Sequence, residues 1–186
     1  MIKDILLDMD GVCTDFVGSV LRAFELSTEE QARLYKNWPH GEYHVNRLIG
    51  VSRNAMWKKI DSKGVEFWSE MPEYPWFDKF YADLSEIAPV TFCTSPGRSH
   101  MAASGKIQWL QKKFGSGFDK YVLTPHKHLL SKQDSALIDD SNENIDGFNN
   151  GPSCFGLGLL FPRPWNNATR EEAPEEACDR ICRILI

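Results

Sequence analysis

No apolar run in this chain approaches the length that crosses a bilayer, and its first residues lack the basic start and long apolar segment of a secretory leader. A cytoplasmic protein with no membrane partner is therefore expected. A basic excess is also missing. Twenty-one Lys and Arg face 26 Asp and Glu, a net charge of -5 at pH 7, so no general field invites a nucleic acid polymer. A small anionic substrate would need positive groups placed locally. Cysteine is scarce and odd in number, with five residues at positions 13, 93, 154, 178 and 182. That excludes a fully paired disulfide framework and points to free thiols. Cys178 and Cys182 lie one helical turn apart, but no His or second Cys pair accompanies them, which argues against zinc. Asn167-Ala168-Thr169 matches a glycosylation acceptor, a chance match without a secretory signal. Repeats and low-complexity segments are absent as well.

What is there suits one core domain with a modest insertion: 186 residues, 42% hydrophobic and 25% charged. The organising stretch is Ile5-Leu6-Leu7-Asp8-Met9-Asp10-Gly11-Val12. Its apolar start without strict alternation suits a buried parallel strand. In an open parallel sheet, ligands bind beyond the C-terminal ends of such strands. Two carboxylates there are costly unless a cation or proton neutralises them. Read alone, the same residues make an ordinary turn. An EF-hand loop is excluded, because counting from Asp8 its fifth and twelfth positions, which need an oxygen ligand and a Glu, hold Val12 and Ser19.

Residues 17–74 read as helical throughout. Thr28-Glu29-Glu30-Gln31 forms a capping-box pattern, and Ser52 is a plausible N-cap before Met56, Trp57 and Ile60. From Trp76 the β/α alternation resumes. A helix runs from Trp76 to Ile87, and strands are expected at Val90–Cys93, Tyr121–Leu123, Ala136–Ile138 and, weakened by two glycines, Cys154–Phe161. Helices are expected around Ile107–Phe114, from Ser141 to Phe148 and from Pro174. The expected fold is α/β, a Rossmann-like parallel sheet of five strands with a helical cap inserted after the first. The core takes 1–16 and 75–186, and the cap takes 17–74.

Parallel strands would bring four polar sets to one edge: Asp8 and Asp10, Thr94 and Ser95, Lys127, and Asp139 with Asp140. Carboxylates bind Mg²⁺, which shares its shell readily with phosphate. Hydroxyls and a lysine hold phosphate oxygens. One Asp can attack phosphorus and a neighbour can move the proton. On these residues the chain resembles the haloacid dehalogenase-like phosphatase superfamily. Leu7-Asp8-Met9-Asp10-Gly11-Val12, Cys93-Thr94-Ser95-Pro96, Gly105-Lys106 with Trp109, Leu123-Thr124 before Lys127, and Leu137-Ile138-Asp139-Asp140 narrow it to the 5′(3′)-deoxyribonucleotidases.

The resemblance implies Mg²⁺-dependent hydrolysis of nucleoside monophosphates, with Asp8 as nucleophile and Asp10 as general acid/base. It implies metal held by the Asp8 side chain, the Asp10 carbonyl and Asp140, with Asp139 in support. Thr94, Ser95, Lys106 and Lys127 would contact phosphate. Lys132 is the alternative to Lys127, and either Asp139 or Asp140 is open as the direct ligand. Phe16, Trp38 and His40 are the substrate-binding candidates. Trp38 either stacks on a base or fills the cap's core. A homodimer is compatible with the sequence. The alternative function is a phosphatase for a sugar phosphate or other small metabolite. A signalling receiver is disfavoured, because its phosphoacceptor lies on the third strand and it carries no such insertion.

Overall fold

Strand β1 (Asp4–Leu7) sits at the centre of the sheet because both its edges and both its faces are covered. The computed structural model describes residues 1–151, 155–168 and 172–186, so Cys154 and Thr169, named above, lie outside the described residues. β1 pairs in parallel with β2 (Val90–Thr94) and with β4 (Ser135–Asp139). Beyond these lie β3 (Tyr121–Leu123) and β5 (Leu157–Leu160), also parallel, giving the order β3-β2-β1-β4-β5. Side-chain alternation divides the strand. Ile5 and Leu7 enter the larger apolar cluster, and Leu6 joins Cys93, Leu137, Ile145 and Phe148 in a smaller one on the opposite face. Burial on both faces is what an all-parallel sheet requires, and it explains the unbroken apolar run before Asp8.

The register brings the strand ends level. Leu7 lies opposite Phe92 on one side and Ile138 on the other. Asp8 therefore leaves the sheet level with Cys93, one residue short of the end of β2 at Thr94, and with Asp139, the last residue of β4. Among the described residues, the stretch from β1 to β2 is helical apart from two isolated bridges: α1 (Phe16–Ala23), α2 (Thr28–Lys36), α3 (Val45–Leu48), α4 (Arg53–Asp61), α5 (Glu66–Ser69) and α6 (Phe77–Ile87). Its two ends run side by side. Thr14 bridges Glu73, Asp15 N–H donates to the Pro72 carbonyl at 2.8 Å and Tyr74 N–H to the Cys13 carbonyl at 2.9 Å. After β2 come α7 (His100–Phe114), β3, a 3₁₀ turn (Lys127–Leu130), β4, α8 (Asn142–Asn150), β5 and α9 (Pro174–Leu185). Among the described residues no helix is long and apolar enough to cross a membrane.

One cap differs by a residue from its expected place. Ser27, not Thr28, caps α2: its Oγ accepts from Glu30 N–H and the Glu30 carboxylate accepts from Ser27 N–H. Ser27–Glu30 and Thr28–Gln31 share the same spacing. The structure selects the pair that ends in a carboxylate, the stronger acceptor and the better group for the helix's positive end.

Gly105 lets α7 and α5 meet. A Cβ there would lie 2.4 Å from Trp68 Cβ and 2.7 Å from the Val65 carbonyl oxygen. Gly105→Ala gains up to about 1 kcal/mol of helix propensity, but overpacking costs roughly 1–3 kcal/mol. A net loss of about 1–2 kcal/mol is expected in urea unfolding. An unchanged or raised midpoint would show that the two helices do not meet this closely.

Candidate active site

The β1 tip turns sharply at Gly11, whose φ is +82°. An added Cβ would meet the Asp140 carboxylate and lie 3.2 Å from Trp165. A glycine is required there on both counts. The turn leaves Asp8 facing Asp139 and Asp140, and one oxygen from each can lie within 4.8 Å of the others. All three are buried, with Asp139 fully inaccessible. Burial first, then Asp8, pushes the Asp139 carboxyl up to about 6 against the relief given by Lys127. Burial and the carboxylates of Asp8 and Asp139 raise Asp140 well above the ordinary range. Burial also raises Asp10, with Lys106 opposing it. Such a set holds excess negative charge that a divalent cation would relieve, and its all-oxygen donors suit a hard ion.

Two buried lysines brace the acids. Lys127, from the 3₁₀ turn, lies 2.7 Å from Asp8 Oδ1 and 2.6 Å from Asp139 Oδ2. Burial works against its ammonium, yet Asp8 and Asp139 together outweigh it and hold its pKa above the usual lysine value. Lys132 is exposed. Lys106, on α7, donates to Asp10 Oδ2 at 2.7 Å, Thr94 Oγ1 at 2.9 Å and the Ser95 carbonyl at 2.8 Å. Its three protons are thus all engaged, and its ammonium lies 5.3 Å from the centre of the Trp68 ring. Asp10 Oδ1 is buried with no hydrogen-bond partner among the described residues.

The two aspartates that end β4 differ in their contacts. Asp139 accepts from Lys127, Ser141 N–H and the Asn144 amide. Asp140 accepts at Oδ2 from Trp165 Nε1, 2.5 Å away, and its carbonyl accepts from Asn166 Nδ2 at 2.9 Å. The segment after β5 therefore clamps Asp140 from outside the sheet.

Above these groups lies a cavity of about 360 Å³, within the range of small-molecule sites. Of the residues expected from sequence, Asp8, Asp10, Phe16, Ser95, Lys106, Lys127 and Asp140 line it. Thr94 and Asp139 do not; both are fully buried, bonded to Lys106 and Lys127 respectively. Trp38 and His40 do not line it either. Trp38 is 2% exposed, packs 5.5 Å from Trp165 and donates its Nε1 to the Glu42 carbonyl. That is the core-filling alternative for this ring, the favoured place for so much apolar surface. His40 is exposed.

Sequence reasoning missed other wall residues: Tyr43, Arg53, Trp57, Trp68, Arg98 and Asn144. Phe16 and Trp68 stack at 5.5 Å, and Trp57 and Trp68 at 6.4 Å. Tyr43 is half exposed, and the negative charge of Asp140 nearby holds its phenol protonated beyond the usual range. The signal for the two tryptophans was their helical spacing, which reads equally as core. Arg163 stacks between Tyr74 and Trp165, 4.3 and 4.6 Å from their ring centres, outside this cavity.

Residues 1–181 match the family described as 5′ nucleotidase, deoxy (pyrimidine), cytosolic type C protein (NT5C). The chain is 28% identical over 155 residues to a mitochondrial 5′(3′)-deoxyribonucleotidase of Homo sapiens, a match covering 80% of this chain and 66% of the relative. A Mus musculus protein of the same name is 27% identical over 163 residues, covering 80% and 69%. The aligned part thus spans just under two thirds of the human protein. Among solved structures, the HAD-hydrolase YfnB of Bacillus subtilis, bound to magnesium, superposes with a TM-score of 0.58 at 15% identity, covering 99% of this chain and 98% of that one. That likeness is one of fold.

Proposed function

The chain belongs to the 5′ nucleotidase, deoxy (pyrimidine), cytosolic type C family, and from that premise we propose that it hydrolyses (deoxy)nucleoside monophosphates to nucleoside and phosphate. The observation that carries this is the meeting of Asp8, Asp10, Ser95, Lys106, Lys127 and Asp140 on one cavity wall, beside stacked aromatic rings.

Asp8 attacks phosphorus while the ester P–O bond breaks, and Asp10 gives its proton to the leaving alcohol oxygen. Asp10 then takes a proton from water as the water oxygen bonds phosphorus and the Asp8–phosphorus link breaks. The partnerless Asp10 Oδ1 is the oxygen we assign this proton, since Oδ2 is held by Lys106. Lys127 orients Asp8, the Ser95 hydroxyl donates to a phosphate oxygen, and the two ammonium groups, while still bonded to their protein partners, offset phosphate charge through space. The donor set suits Mg²⁺, which the Asp8 and Asp140 carboxylates and the Asp10 carbonyl would hold and which would supply charge neutralisation to the transferring phosphoryl group. The full set of hydrogen bonds on Asp139 supports a bracing role for it and leaves Asp140 as the direct ligand. Thr94 acts from beneath, through Lys106. Residues 17–74 form a cap whose Phe16-flanked aromatic wall stacks on the base.

A phosphate-release screen over nucleoside monophosphates and sugar phosphates tests this. Nucleotide turnover is expected, lost in EDTA and restored by Mg²⁺. Turnover of sugar phosphates alone would move the substrate to the alternative class, and undiminished activity in exhaustively chelated protein would remove the metal.

A further inference from the structure

We propose that this pocket takes a nucleotide bearing a second phosphate, on the sugar of the leaving nucleoside, and that Arg53 and Arg98 grip it. The proposal rests on the nucleotidase reading and names its substrate class. The groups assigned above to the phosphate being cleaved, Ser95, Lys106 and Lys127, all cluster at the sheet edge. Arg53 and Arg98 line the same cavity from elsewhere. Arg53 opens α4 in the inserted segment, and Arg98 follows the turn after β2.

Neither arginine forms an ion pair among the described residues. Exposed basic side chains without an ion pair among the described residues also include Lys36, Lys63 and Lys132, so what marks Arg53 and Arg98 is their place on the cavity wall.

Arg98 is also held in position. Gly97, at φ +70°, turns the chain where an added Cβ would come 2.7 Å from Ala102. The Arg98 guanidinium then lies 5.8 Å from the centre of the Trp57 ring, a cation–π distance. Trp57 stacks in turn on Trp68. The aromatic wall that would hold the nucleoside thus carries an unpaired guanidinium beside it. A guanidinium fork matches the paired oxygens of a phosphate, which a neutral sugar hydroxyl cannot offer.

The test uses the purified full chain with Mg²⁺. It compares a nucleoside 5′-monophosphate with the 3′,5′-bisphosphate of the same base, in wild type and in the Arg53→Gln/Arg98→Gln double variant. Wild type is expected to favour the bisphosphate in kcat/KM by about tenfold or more, mostly through KM. In the double variant that ratio falls close to one, the monophosphate loses several-fold at most, and the melting temperature holds. Equal use of both nucleotides by wild type overturns the inference, as does a ratio that survives the double substitution. Monophosphate turnover without preference refutes the arginine role alone. Turnover of neither nucleotide refutes the nucleotidase reading beneath it.

Discussion

Asp8→Asn is expected to reduce phosphate release by on the order of 10⁴-fold or more while leaving the protein folded. The amide is a poor nucleophile, so the covalent route closes, and it is a weaker oxygen ligand for a hard cation. The loss should lie in kcat, because the aromatic wall and Ser95 remain to bind substrate. Stability should hold. Asp8 is one of three buried carboxylates within 4.8 Å of each other, and removing its charge relieves the repulsion on Asp139 and Asp140. Lys127 keeps Asp139 as its counter-ion, 2.6 Å away. The melting temperature without metal should therefore match or exceed wild type, and its rise on adding Mg²⁺ should shrink. Turnover near the wild-type rate in purified variant would end the nucleophile assignment.

Lys127→Met should damage both fold and activity. The lysine is 2% exposed, so solvent does little to screen its two ion pairs. Losing one partner of a buried pair costs about 3–5 kcal/mol. The lower end is expected here, because Asp139, already pushed up to about 6, can escape part of the penalty by taking a proton. Activity should fall with it, since Asp8 loses the group that orients it. Lys132→Met is the control. That side chain is exposed, and its loss should stay within about 0.5 kcal/mol. Urea unfolding and phosphate release on both variants decide the point. A damaging Lys132→Met beside a benign Lys127→Met would reverse the assignment of the lysine.

The strands and the acidic edge were legible in the sequence because parallel strands advertise themselves. Ile5 to Leu7 and Ala136 to Ile138 are buried on both faces, and each run stops where carboxylates begin. The choice between Lys127 and Lys132 was not legible. It depends on a 3₁₀ turn at Lys127–Leu130 that tucks the first lysine beneath the sheet edge, and four residues carry no periodicity to reveal it. The aromatic wall was hidden for another reason. Trp38, Trp57 and Trp68 all lie in the inserted segment, and local spacing treats all three as core. Trp38 is buried against Trp165, from the far end of the chain, while Trp57 and Trp68 face the cavity. For Trp68 the placement follows from how the four-residue helix α5 meets α7 at Gly105, a contact between segments distant in sequence. The arginines escaped notice because exposed charges are usually solvated, and only their place on the cavity wall sets them apart.

The strand order also constrains how the chain comes to be folded. β1 is made first but lies in the middle of the sheet, and its neighbours arrive only with Val90–Thr94 and Ser135–Asp139. During synthesis it waits as an unpaired apolar segment, the kind of edge that aggregates or recruits a chaperone. Lys127 reaches Asp8 and Asp139, and Trp165 reaches Asp140, only after most of the chain has emerged. Such long-range closure slows folding. The crowding of carboxylates is thereby postponed until the lysines that offset it have been made.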